Sequence, residues 1–149
     1  MIKGRENVIK GNKNLVDGSF NSLVGDISSI FGNQNNLFGF NSSISGSSNS
    51  VVGNGTIVSG ISNTAAGNLN LVNGTGNVLL GNLTAVNGNN NTLTGNLNKL
   101  VGSLNVINGT GNTMTGNSNT LVGGSNVAVG SANQIIGNAN SLAGNFNYI

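Results

Sequence analysis

An apolar residue stands at every seventh position of this chain, from Ile2, Ile9 and Val16 through Leu142 to Ile149. Two positions after each, as far as Gly144, comes a glycine, giving 21 glycines in register from Gly4 onward. Two positions before each, from Ile9 onward, stands Asn at 17 of 21 places; Ser28, Ser42, Thr56 and Thr84 fill the others. The unit is x-x-Asn-x-(Val/Leu/Ile)-x-Gly. A seven-residue period suggests a coiled coil, but only one position per heptad is reliably apolar, and recurrent Gly and Asn are poor helix formers. Asn, the aliphatic residue and Gly are spaced two apart, which is strand spacing and puts all three on one side. The x-x pair after Gly is rich in Asn, Ser, Thr and Gly, the residues of turns. Each heptad therefore predicts one short strand and one turn.

Two heptads make one coil. The four departures from Asn fall at 28, 42, 56 and 84, all multiples of 14, as expected if alternate heptads lie on different faces. The predicted fold is all-β: a β-roll or β-helix solenoid of 14-residue coils with two flat parallel sheets, forming a single domain over residues 1–149. About ten coils at ~4.8 Å give a rod roughly 50 Å long. One aliphatic residue per strand is a thin core. Ladder hydrogen bonds and stacked inward Asn amides must supply much of the stability. One pattern treats the two faces alike: Leu69–Asn77 reads LNLVNGTGN and Leu104–Asn112 reads LNVINGTGN, an offset of 35 residues that places the copies on opposite faces.

Composition changes this picture little. With 33 Asn and 25 Gly and no Cys, His, Pro or Trp, the chain has the bias of a prion-like tract, but an unbroken period outweighs bias. Seven of the eight charges (Lys3, Arg5, Glu6, Lys10, Lys13, Asp17 and Asp26) lie in the first 26 residues, and Lys99 is the eighth. Residues 1–26 are thus the candidate N-terminal cap. Both ends stop in mid-strand, so a flanking domain, an end-to-end contact or a homo-oligomer is expected there. A net charge of +2 is too small for nucleic acid, and no apolar run approaches the ~20 residues of a membrane span. The three acids and the absence of His and Cys leave no paired carboxylates for catalysis and no metal-ligand set. The glycines belong to the repeat, and no GK[ST] follows them, so they form no phosphate loop. No enzyme activity, cofactor or metal is expected.

Function then rests on the outward positions. Strands holding Leu23, Leu37 and Val51 form face A, and those holding Ile30, Ile44 and Val58 form face B. Beyond Lys10, face A carries no charge and mixes small hydroxyl or amide groups with apolar ones. Outward side chains repeat every ~6.7 Å along a strand and every ~4.8 Å between coils. A regular array of methyls and hydroxyls can order water in register with a crystal, many weak contacts acting together. The candidate contacts are Ser22, Val24, Ser50, Val52, Thr64, Ala66, Thr92, Thr94, Thr120 and Val122.

The unit resembles that of the ice-recrystallisation-inhibition (antifreeze) proteins of grasses, over the whole chain. The resemblance implies a left-handed roll, an internal Asn ladder, one flat ice-binding face, an ice crystal surface as partner, and action outside the cell. The chain departs from that pattern in using Leu or Ile where Val is typical, and in carrying fewer outward Thr and Ser; Phe38, Leu80 and Ile136 roughen face A. The unit is also similar to x-x-Ser-x-Ala-x-Gly in the heads of trimeric autotransporter adhesins, most closely at Ser125-Asn126-Val127-Ala128-Val129-Gly130. That second resemblance implies an oligomeric adhesive or structural head as the alternative.

Overall fold

A computed structural model describes residues 1–149. It contains 21 strands and no helix. Odd-numbered strands, from β1 (Ile2–Lys3) to β21 (Ser141–Ala143), form one parallel sheet of 11, and even-numbered strands, from β2 (Val8–Lys10) to β20 (Gln134–Ile136), form another of ten. The ten-stranded sheet is face A and the 11-stranded sheet is face B. Every pairing is offset by 14 residues, as in Leu23↔Leu37↔Val51 on face A and Ile30↔Ile44↔Val58 on face B. Coil length and sheet order are those the parity of the repeat implies. The two nonapeptide copies lie on opposite faces: Val72 pairs with Val86 on face B, and Ile107 with Leu121 on face A.

Between the sheets lie 18 buried apolar residues, from Val16 to Ile135, one per strand, with Ile9 and Leu142 packed against their ends. The same interior holds 17 buried polar residues, all at the Asn position. An interior almost half polar is stable only if each polar atom is paired, because an orphaned one costs about 1–3 kcal/mol. No buried side-chain nitrogen or oxygen lacks a partner. Asn77 shows how. Its Nδ2 donates to Gly88 O (2.7 Å) and Asn63 Oδ1 (3.0 Å), and its Oδ1 accepts from the backbone N–H (3.1 Å) and Nδ2 (2.9 Å) of Asn91. This column, from Asn7 to Asn147, is all Asn and leads into face A. The opposite column contains Ser28, Ser42, Thr56 and Thr84 and leads into face B. There a hydroxyl replaces the amide: Ser42 Oγ donates to Gly53 O (3.1 Å) and accepts from the Thr56 N–H (3.1 Å).

The corners differ from the expectation of ordinary turn chemistry. The residue preceding each inward Asn, Ser or Thr sits at a left-handed φ, and in 18 cases it is not glycine. Phe20, Ile27, Leu69, Leu83, Leu97 and Leu104 all occupy this slot. The conformation is imposed by stacking between coils: the Leu83 N–H donates to Asn68 O in the coil below (3.0 Å), and Leu97 to Asn82 likewise (3.0 Å). A second column of side chains completes the corner. The Asn54 N–H donates to Asn68 Oδ1, Asn68 to Asn82 Oδ1 and Asn82 to Asn96 Oδ1, at 2.7–2.9 Å. Asp26 stands in the same column and accepts from the Asn12 N–H, so this acid is built into the corner. A β-branched residue at left-handed φ is strained, and Ile27 has φ 58° with its side chain exposed. Ile27→Asn should stabilise the roll by about 1 kcal/mol, since Asn41 and Asn90 already adopt this slot. A higher urea midpoint at unchanged slope would show it; an equal or lower midpoint would refute it.

Strands are three residues long where the turn begins at Gly, but β7 (Ser43–Ser47), β9 (Ile57–Ile61) and β11 (Leu71–Thr75) run to five. There the ladder continues through Gly46↔Gly60↔Gly74 into Ser47↔Ile61↔Thr75. Residues 1–26 follow the same register as the rest, with Ile2 59% exposed and Val16 buried.

Candidate ice-binding face

The aliphatic residue of each strand points inward, so its two neighbours point outward. On face A this creates two columns. One runs Ser22, Asn36, Ser50, Thr64, Val78, Thr92, Val106, Thr120, Gln134; the other runs Val24, Phe38, Val52, Ala66, Leu80, Thr94, Asn108, Val122, Ile136. All ten candidate contacts lie in them, partly or fully exposed. No intramolecular hydrogen bond engages the hydroxyls of Ser22, Ser50, Thr64, Thr92, Thr94 or Thr120, whereas on face B Ser29 Oγ donates to Ser43 Oγ (2.9 Å). The face A hydroxyls are therefore free to bond water.

The register also shows how the candidates are spaced. Ser50/Val52 and Thr64/Ala66 are neighbours. The other pairs alternate with larger ones: Asn36/Phe38, Val78/Leu80 and Val106/Asn108 each separate two candidate strands. Phe38 and Leu80 are 58% and 50% exposed, so these side chains stand in the array. Shallow depressions lie beside Phe38 and Phe40 on face A and above Ala85, between Leu71 and Lys99, on face B. Neither penetrates the roll, because the core columns beneath are closed.

Seven of the eight charges lie elsewhere. Lys10 is the only one on face A; Lys3, Asp17 and Lys99 are on face B, and the rest are at corners. Glu6, Asp17 and Asp26 occupy one edge, face B and the other edge respectively, so no two acids share a site.

Residues 1–74 match the family model described as "Grass antifreeze beta roll". The chain belongs to this antifreeze family. Residues 75–149 continue the antifreeze repeat in the same frame, with Gly81 to Gly144 and Leu79 to Leu142 in phase. The family is one of antifreeze proteins and not of enzymes. No curated protein matches this antifreeze roll. Among solved structures it is similar to a UDP-N-acetylglucosamine acyltransferase of Arabidopsis, with a TM-score of 0.41 and 14% identity, covering 89% of this chain and 62% of that one. It is also similar to a UDP-N-acetylglucosamine acyltransferase from Bacteroides fragilis 9343, with a TM-score of 0.27 and 14% identity, covering 95% of this chain and 65% of that one. The chain thus spans less than two thirds of either, and likeness at this level says nothing about its activity.

Proposed function

We propose that the roll binds ice through the outward columns of face A and so slows ice recrystallisation, without catalysis and outside the cell. The observation that supports this most is the unbroken 14-residue register. It sets Ser22, Val24, Ser50, Val52, Thr64, Ala66, Thr92, Thr94, Thr120 and Val122 on one lattice whose single charge is Lys10, beside Val24, in a chain of an antifreeze family. Hydroxyls without protein partners hold water, and methyls beside them give that water no competing bond. Water so held at a fixed repeat can join a crystal without first losing its order. Each contact is weak, and the sum over a rigid array binds far more tightly than any one of them.

The test is recrystallisation inhibition by the folded protein against a heat-denatured control, with its mass measured by light scattering. Thr92→Tyr combined with Thr120→Tyr should weaken inhibition about tenfold or more with an unchanged melting temperature, because both side chains point outward. Unchanged inhibition in the folded variant would remove face A as the site. A folded parent of trimeric mass with no effect on ice would overturn the reading in favour of an adhesin-like head.

A further inference from the structure

Lys99 is the only charged residue after Asp26, and the three acids, Glu6, Asp17 and Asp26, are all confined to the first 26 residues. This cation therefore has no carboxylate partner in the roll. It stands on β15 (Lys99–Val101), beside β13 (Ala85–Asn87), which pairs in turn with β11. The register makes one outward column of Leu71, Ala85 and Lys99 and a second of Asn73, Asn87 and Val101. Ala85 is half-buried, while Leu71 and Lys99 on either side of it are exposed. A methyl between two long side chains leaves an open depression of about 470 Å³, with Ala85 as its floor.

We propose that this depression is a binding site for a small aromatic carboxylate. Leu71, Ala85 and Val101 supply apolar surface on which one ring can lie. Leu71 and Lys99 are two strand spacings apart, roughly 9.6 Å, which admits a ring laid flat between them. The hollow is too shallow to bury an alkyl chain, whereas a rigid ring covers its floor at little cost in conformational freedom. Small sites of this kind pair an apolar floor with a few placed polar groups.

The polar groups fix the ligand's charge and direction. Lys99 and Asn87 are diagonal neighbours across β15 and β13, about 8 Å apart at the backbone, so a carboxylate over Ala85 can accept from the ammonium and from Asn87 Nδ2 together. The exposed Asn73 and Asn87 amides make no hydrogen bond within the protein, whereas Asn82 Nδ2 at the neighbouring edge is held by Asn96 Oδ1 (3.1 Å). One unpaired cation matches one carboxylate, and a bond to an ionised group is about twice as strong as a neutral one. The site lies on the sheet opposite face A and needs no ice to fill it, so it goes beyond the ice-binding reading and is tested apart from it.

The experiment titrates cinnamate into the folded, isotope-labelled chain and follows the backbone amide signals by NMR. Cinnamamide, of the same shape without the charge, is the comparison. Cinnamate should bind with a dissociation constant of about 1 mM, shifting signals around Asn73, Ala85, Asn87 and Lys99, and cinnamamide should bind about tenfold more weakly. Ala85→Leu fills the hollow and should abolish binding. Lys99→Gln should remove the preference for cinnamate, and Lys99→Arg should keep it. All three changes point outward, and melting curves confirm folding; if Ala85→Leu does not fold, the Lys99 pair decides. No shift at about ten times the expected constant would overturn the proposal. So would equal binding of the two probes by the unmodified chain, unchanged binding in folded Ala85→Leu, or shifts centred on another part of the roll.

Discussion

Gly74→Ala should prevent the chain from folding. Gly74 has φ 136°, and a Cβ there would overlap the carbonyl of Gly88 in the next coil while sitting 3.1 Å from Asn77 Nδ2. A side chain at this row would point along the stack, into backbone that itself belongs to the repeat. Relief would need the coils to separate, and every ladder bond between them would lengthen together. Backbone strain of about 1–3 kcal/mol adds to that overlap, so the total exceeds the ~4–5 kcal/mol that marks an exceptional substitution. Gly55→Ala is the control. Gly55 lies at a corner with φ 63°, and its added Cβ would meet only the Leu69 side chain, which can turn aside; its cost should be about 1–2 kcal/mol. Circular dichroism and urea melts of the two variants decide the matter. A Gly74→Ala protein melting close to its parent would show that the stack is more compliant than its register implies.

Asn77→Ala should destabilise the roll by about 4 kcal/mol or more. The alanine keeps its backbone N–H bond to Asn63 Oδ1 but loses both Nδ2 bonds, to Gly88 O and Asn63 Oδ1. The Asn91 N–H and Nδ2 lose their acceptor. The Asn63, Asn77 and Asn91 side chains are buried, and Gly88 is part-buried. Thr84→Ala in the opposite column should cost far less, about 1 kcal/mol, because the Thr84 hydroxyl makes only long contacts to Asn82 O (3.3 Å) and Gly95 O (3.4 Å). Equal losses in the two variants would mean that stacked amides contribute no more than isolated hydroxyls.

The core was legible in the sequence because it depends on one number. A period of seven with partners two apart fixes which residues face in, and the placement of Ser28, Ser42, Thr56 and Thr84 at even multiples of seven shows that two heptads close a coil. The corners were not legible. Leu69, Leu83 and Leu97 have no intrinsic leaning toward left-handed φ; they adopt it because each N–H finds a carbonyl in the coil below, an interaction between residues far apart in the chain. The outward Asn54–Asn68–Asn82–Asn96 column was hidden for the same reason: its residues read as generic turn formers, although their recurrence every 14 residues was the available signal. Ser22 to Val122 all proved outward, as alternation requires. Their interruption by Phe38 and Leu80 emerges only when residues 14 apart are set side by side.

The coil-to-coil ladder also bears on how such a molecule ages. Asn–Gly links in a mobile chain lose ammonia when the glycine nitrogen closes onto the neighbouring side-chain amide carbon; the cyclic imide then opens to aspartate or to its backbone-lengthened isomer. In this roll the attacking nitrogens are occupied: the Gly55 N–H donates to Phe40 O, Gly88 to Asn73 O and Gly109 to Thr94 O, each at 2.9 Å. Deamidation at Asn54, Asn87 and Asn108 must therefore wait for an opening of the stack, and the lengthened backbone it leaves cannot return to a strict seven-residue step. Chemical lifetime is thereby tied to the rate of unfolding, so a roll stored cold and folded keeps its amides, and each thaw that opens it removes some for good.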